Sequence, residues 1–190
     1  MMLTQDALLF RELESEEVIR LGEIDRSETF WESYRYRDGI LQLAPDYQEV
    51  TGFDEQELQD MISRQKEIIR TGGRVIGCFD GTLIAGMASV ERQRRGSRQQ
   101  YCKMDILYVS RTYRGRHIAL QLLDRTRKIA AGFGAQHLYI SATPTRRTVD
   151  FYISQGARPA TEPDPELVQL EPLDIHLELD VSLLLPAGKG

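Results

Sequence analysis

The residue types best suited to chemistry fall between positions 104 and 134, in the run MDILYVSRTYRGRHIALQLLDRTRKIAAGFG. A largely apolar strand ends near Val109, a short basic loop follows, and a helix begins at about Gly115. A strand, loop and helix in this order turn several unpaired backbone N–H groups and the positive end of a helix dipole toward one point. Such a point binds phosphate, and Arg111, Arg114 and Arg116 supply countercharge. Residues 91–128 hold eleven Lys or Arg against three Asp or Glu, so this segment carries +8 in a chain of net charge -5, and the remainder carries -13. A basic zone in an acidic chain suits a compact ligand with several phosphates, although on charge alone a solvated basic face is an alternative. Nucleic acid fits poorly: no DNA- or RNA-binding motif accompanies the charge, and the acidic remainder would repel a polyanion.

Leu107, Tyr108 and Val109, followed by Tyr113-Arg114-Gly115-Arg116-His117-Ile118-Ala119, resemble the acetyl-CoA motif of the GNAT superfamily, Arg/Gln-x-x-Gly-x-Gly/Ala. Arg114 matches its first position and Ala119 its last. His117 stands where the motif has glycine, a residue that lets backbone approach a pyrophosphate closely. Downstream, SATPTRRTVDFYISQGARP (residues 141–159) resembles the family's second cofactor segment, with Arg147 where relatives often carry asparagine. The stretches IDRSE (24–28) and EPLDIHLEL (171–179) are similar to those of an uncharacterised bacterial GNAT group.

The resemblance implies an acetyl-CoA-dependent N-acetyltransferase that needs no metal. In it, the strand ending at Val109 splays from the strand at 138–142, and the pantetheine arm lies in the gap, paired to backbone groups of Leu107 and Val109. A backbone N–H would polarise the thioester carbonyl. A primary amine of a small molecule, polyamine or peptide would attack the thioester directly. Two other readings are a non-catalytic acyl-CoA-binding module and a protein lysine or N-terminal acetyltransferase. Tyr152 matches the tyrosine of the family's Phe-Tyr pair and is the expected proton donor to the leaving thiolate, the alternative being a packed aromatic. Asp105 is the candidate base. Strand alternation puts it on one face with Leu107 and Val109, where apolar surroundings would raise its pKa; a salt-bridged strand residue is the alternative.

These residues need elements to position them. A strand at 8–13 leads into a short helix at 15–24, and a polar, aromatic region with a turn at Asp38-Gly39 spans 25–50, with a short hairpin starting at 39–43. A helix is predicted over 53–71, then strands at 74–79 and 83–91 joined by a hairpin at Asp80-Gly81, and another at 100–109. The helix at 115–131, a short strand at 138–142 and a helix at 145–154 follow. Two late strands, 167–170 and 175–181, are split by Pro172, and residues 186–190 form a tail after a single domain spanning 1–185. The order implies an α/β fold in which a mixed, mostly antiparallel sheet of six to seven strands with one splayed parallel pair is flanked by about four helices.

Composition is that of a folded soluble domain, with 41% hydrophobic and 28% charged residues in 190. No apolar run approaches the roughly 18 residues that cross a bilayer, and no export signal is visible, so the expectation is a cytoplasmic protein with no membrane or nucleic-acid partner. Cys78 and Cys102 lack metal or redox spacing and read as buried thiols. Three scattered histidines give no metal constellation. His176 is a weak site candidate, and Asp25, Arg26 and Glu28 read as a local ion-pair network, with binding of an amine or capping of a helix as the alternatives. Trp31, Tyr34 and Tyr36 either line an acceptor pocket or pack in the core. By analogy, the chain forms a homodimer through the late strands.

Overall fold

Period-2 apolar patterning between residues 74 and 109 builds the centre of the fold. The structure, a computed structural model, describes residues 8–182. Strands β1 (Leu9–Glu12), β4 (Arg74–Asp80), β5 (Leu83–Arg95), β6 (Tyr101–Val109), β7 (His137–Ala142), β8 (Arg158–Pro159) and β9 (Ile175–Asp180) form a seven-stranded sheet in the order β1-β4-β5-β6-β7-β9-β8. Its neighbours are antiparallel except for β6 and β7. That pair is joined by a helical crossover, as parallel strands require. A separate hairpin, β2 (Glu28–Arg37) and β3 (Ile40–Val50), forms the second sheet.

Helices cover both faces. Residues Ser15–Glu23, which form a 3-10 helix, and α1 (Glu55–Arg70) bury Val18, Leu21, Met61 and Ile62 against Val75, Met87 and Ile106. On the other face α2 (Ile118–Gly132) and α3 (Arg146–Ser154) bury Leu123, Ala130, Val149 and Tyr152 against Met104, Leu138, Ile140 and Leu177. Gly86 lets the first turn of α2 seat closely: a Cβ there would lie 2.8 Å from the Tyr108 carbonyl oxygen and 3.1 Å from Leu122.

Three expectations change. Residues 167–170 form no strand; they lie in α4 (Pro165–Leu170), where Asp164 caps the N–H groups of Glu166 and Leu167 and Pro165 opens the helix. The short hairpin expected from 39–43 is instead a full two-stranded ribbon. Asp38 and Gly39, at φ 52° and 79°, form the turn, as a two-residue loop with both φ positive demands. The central hairpin turns one residue later than expected, because Asp80 pairs with Leu83 and leaves Gly81 and Thr82 as the loop. β9 is paired on both sides, to β7 and β8, so it offers no free edge for a partner over Leu177 and Glu178. The tail at 186–190 lies outside the described residues, and among those described no helix is long and apolar enough to cross a membrane. Cys78 and Cys102 are free and buried, and burial pushes each thiol up to about 11.

Glu178 pins β8 and β9 together. Only 2% exposed, its carboxylate accepts hydrogen bonds from the Tyr101 hydroxyl (2.5 Å), Arg158 Nε (2.7 Å) and the Thr161 N–H (3.0 Å). Burial opposes its charge, but these donors hold the group down at about 2. A depressed carboxyl stabilises the fold fully above its unfolded value and loses that contribution as pH falls toward the folded one. Glu178→Gln is expected to lower stability at pH 7 by about 2 kcal/mol and to flatten the acid limb between pH about 4.5 and 2. Denaturant titrations across that range check it; an unchanged limb would remove Glu178 from acid stability.

Candidate active site

The site begins where β6 leaves its neighbours. Val90 pairs with Met104 but Ser89 pairs with Ile106, so Asp105 is an extra residue, a β-bulge. On the other side the parallel pairing with β7 ends at Met104 and Ile140. Beyond it the two strands diverge, and a cavity of about 500 Å³ fills the gap, lined by residues 104–109 of β6, Ile140 to Thr143, the start of α2 and one side of α3.

The bulge also corrects the expected faces. Leu107 and Val109 pack on the α2 side with Ile118 and Leu122, whereas Asp105 turns to α1. Strict alternation fails across a bulge because one residue has no partner. Asp105 Oδ1 accepts from Lys103 Nζ (2.8 Å), and Oδ2 accepts from Arg64 Nε and Gln65 Nε2 (2.8 Å each). Its side chain is fully buried. Burial would raise the carboxyl, yet Lys103, Arg64 and the Gln65 hydrogen bond outweigh it and hold the group below its ordinary value. The expected raised pKa is therefore reversed: this carboxylate is an ion-pair partner, poor as a base near neutrality.

The loop after β6 is tied down at its start. Ser110 N–H reaches the Ala85 carbonyl (2.9 Å), Arg111 N–H reaches the Asp25 carbonyl (2.8 Å), and the Ser110 hydroxyl accepts from Asp25 N–H (3.0 Å). The chain then turns through Gly115 (φ 80°) and His117 (φ 59°) into α2. Among the described residues, the backbone N–H groups of residues 115–120 meet no acceptor in the protein. Four such orphans are usual at a helix start; the loop adds two more. Five of these six residues, all but Arg116, line the cavity, and a Cβ on Gly115 would meet nothing within 4 Å. The row is a cradle for an anion.

The structure brings Leu107, Tyr108, Val109, Arg114, Gly115, His117, Ile118, Ala119, Arg147, Tyr152 and Asp105 to this one cavity. Arg114 does less than expected of a free cation: Nε and Nη1 donate to the carbonyls of Val109 (3.3 Å) and Ser27 (3.1 Å), bracing the loop. Arg116 departs from expectation. Its guanidinium lies 5.2 Å from the Tyr113 ring and 3.9 Å from Asp80, away from the cavity, because the turn into the helix points its side chain toward the β4–β5 loop. Tyr152 is buried on α3 with its phenol pushed up, first by desolvation and then by Tyr108 nearby. Tyr108 packs edge-on to Phe53 at 5.6 Å, on the α1 side. His176 stays out of the cavity, its Nδ1 2.9 Å from the Tyr139 hydroxyl and its Nε2 3.2 Å from the Glu171 carbonyl.

Sequence reading offered Trp31, Tyr34 and Tyr36 as an acceptor-pocket wall; this cavity is walled instead by Phe30 and Val50, which it did not single out, with Arg26 and Glu28, which it did. The local network expected among Asp25, Arg26 and Glu28 does not form: Arg26 pairs with Glu57 and Glu28 with Arg147 (3.6 Å), while Asp25 accepts from the Ser27 N–H (2.9 Å). The hairpin reaches α3 through Tyr34: its N–H meets the Pro144 carbonyl (2.7 Å) and its hydroxyl meets Asp150 (2.8 Å). A run of charges and aromatics gives no periodic signal of such docking.

Residues 27–157, which contain the opened parallel pair and the N–H row, match the acetyltransferase (GNAT) family. The chain belongs to the acetyltransferase (GNAT) family. No curated protein shows significant sequence similarity to it. Among solved structures, this GNAT protein is similar to a nourseothricin acetyltransferase at 15% identity and TM-score 0.69, over 92% of this chain and 99% of that one. It is also similar to a Bacillus anthracis protein assigned as a streptothricin acetyltransferase, in complex with acetyl coenzyme A, at 15% identity and TM-score 0.64, over 93% and 99%. The PaiA N-acetyltransferase of Thermoplasma acidophilum, in complex with coenzyme A, matches at 17% identity and TM-score 0.58, over 92% and 99%.

His117 explains the motif's glycine in this GNAT chain. The position is left-handed, where a side chain costs about 1 kcal/mol. His117→Gly is expected to raise stability by about that amount, read as a higher melting temperature. A lower one would contradict the left-handed turn.

Proposed function

We propose that this GNAT enzyme transfers the acetyl group of acetyl-CoA to a primary amine of a small molecule by direct attack on the thioester. The observation that carries the reading is the row of acceptor-less N–H groups at 115–120, opening onto the gap between β6 and β7. A diphosphate suits that row because fixed donors and a helix N-terminus favour negative charge. Beyond Met104 the edge of β6 that faces β7 has no strand partner and suits the amides of a pantetheine arm, and the apolar side chains of Leu107 and Val109 exclude water from it. Arg147 stands at the cavity wall, 3.6 Å from Glu28.

The chemistry requires a proton for the departing thiolate and an unprotonated amine. Tyr152 is the donor in this reading. Its phenol lines the cavity and its raised pKa keeps it protonated through neutral pH, so the proton is present when the carbon–sulfur bond breaks. Asp105 enters as the anchor of the bulge rather than as the base. The amine lone pair forms the new carbon–nitrogen bond as the carbon–sulfur bond breaks; the nitrogen releases a proton to solvent, and solvent returns one to the Tyr152 phenolate. A small acceptor is favoured by the size of the gap and by the acceptor names, nourseothricin and streptothricin, carried by two proteins of the same fold.

Calorimetric titration with acetyl-CoA, with ATP as control, tests the cofactor. Micromolar binding of the thioester and negligible binding of ATP are expected, and no binding would sink the reading. Tyr152→Phe is expected to lower kcat by about tenfold to a hundredfold while leaving the acetyl-CoA dissociation constant within about twofold. Wild-type turnover in that variant, followed by thiol release over an amine panel, would remove Tyr152 as the acid.

A further inference from the structure

A second, wider cavity of about 700 Å³ lies beside the first, between the start of β2, the loop at 111–114 and the first turn of α3. It shares Glu28, Phe30, Arg114 and Arg147 with the gap, so the two are continuous. Four arginines line it, Arg111, Arg114, Arg146 and Arg147, against three carboxylates. The function proposed above gives no role to Arg111 or Arg146.

The pairing within the groove is loose. Arg146 divides itself between Glu32 (2.7 Å) and Asp150 (3.4 Å), with each of these side chains more than 40% exposed. Arg147 lies 3.6 Å from Glu28 and is 57% exposed. Exposed pairs of this kind contribute little, because water and salt screen them. Arg111 has no carboxylate partner among the described residues. Arg114 is pulled below its ordinary value, first by burial and then by the charge of Arg147, and four guanidinium groups against three carboxylates leave the groove lining net positive. A phosphomonoester dianion with three acceptor oxygens would compete well for these guanidinium forks. At the rim stands Trp31, 64% exposed and tilted against Tyr47 at 6.1 Å, beside the arginine cluster.

Coenzyme A carries one phosphate group beyond its diphosphate, the 3′-phosphate on the ribose, with adenine attached to the same sugar. A diphosphate seated on the N–H row at 115–120 would put that end of the molecule at the mouth of the arginine groove, since Arg114 and Arg147 belong to both cavities. We infer that Arg111, Arg146 and Arg147 clamp the 3′-phosphate of coenzyme A while Trp31 stacks on the adenine, so that the enzyme discriminates coenzyme A from its 3′-dephospho form. The inference rests on the acetyl-CoA reading above and adds a specificity determinant to it.

Trp31 is the only tryptophan in the chain, so its emission reports the groove alone. Titrations of the wild-type protein with coenzyme A and with 3′-dephospho-coenzyme A, followed by calorimetry and by Trp31 fluorescence, test the inference. The dephospho form is expected to bind about tenfold or more weakly, and saturation with coenzyme A is expected to change the emission. The double variant R111Q/R146Q, both positions at the surface, should lose the discrimination while keeping its affinity for the dephospho form. Equal affinities in the wild type, or unchanged emission at saturation, would overturn this inference and leave the acetyl-CoA reading standing. Failure of both ligands to bind would overturn the two together.

Discussion

The site depends on the burial of one carboxylate. Asp105 is the surplus residue that lets β6 keep its pairing with β5 while parting from β7, and it is held by Lys103, Arg64 and Gln65. A charge taken fully out of water is costly unless several partners meet it, and here three do. The bulge that they secure turns Leu107 and Val109 toward α2, ends the parallel pairing at Met104 and Ile140, and opens the gap. Had Asp105 remained in register, β6 and β7 would zip further, and the cleft would close on itself. The same residue that sequence reading offered as a base is thereby assigned to architecture, by physics that also lowers its pKa.

Around that opening, three segments distant in sequence converge. The loop at 110–117 is tied to Asp25, the hairpin is tied to Pro144 and Asp150 through Tyr34, and α3 brings Tyr152 into the wall. The ties to Asp25 and Pro144 use backbone groups and the Ser110 hydroxyl rather than exposed ion pairs, so they are not left to screened charges. The N–H row at 115–120 borders the gap and, among the described residues, has no acceptor. Preorganised donors of this kind cost no rearrangement when an anion arrives.

Much of this was legible in the sequence. The change from period 2 to period 3.6 between Val109 and Ile118 marked the strand, loop and helix, and the family motif named the same residues. What escaped has identifiable causes. A bulge carries no sequence signature, so alternation misplaced Asp105 by one face. Asp164-Pro165 is a helix start that a short apolar run at 167–170 disguised as a strand. The hairpin's Asp38-Gly39 turn was visible, but strands made of Glu, Arg, Tyr and Gln, with both faces partly exposed, carry no clear alternation, and their part in the cavity wall depends on docking to α3. Arg116 read as countercharge by proximity in sequence, yet the left-handed turn beside it sends its side chain to Asp80.

The central claim is that the unpaired N–H groups of residues 115–120, together with the free edge of β6, hold acetyl-CoA. Amide hydrogen exchange with and without acetyl-CoA tests it most directly, because these amides have no acceptor in the unliganded protein. Slowed exchange at 115–120 and along 106–109, with the far sheet edge at β1 unchanged, is the result the account requires. Saturated binding that leaves exchange at 115–120 as fast as before would contradict it.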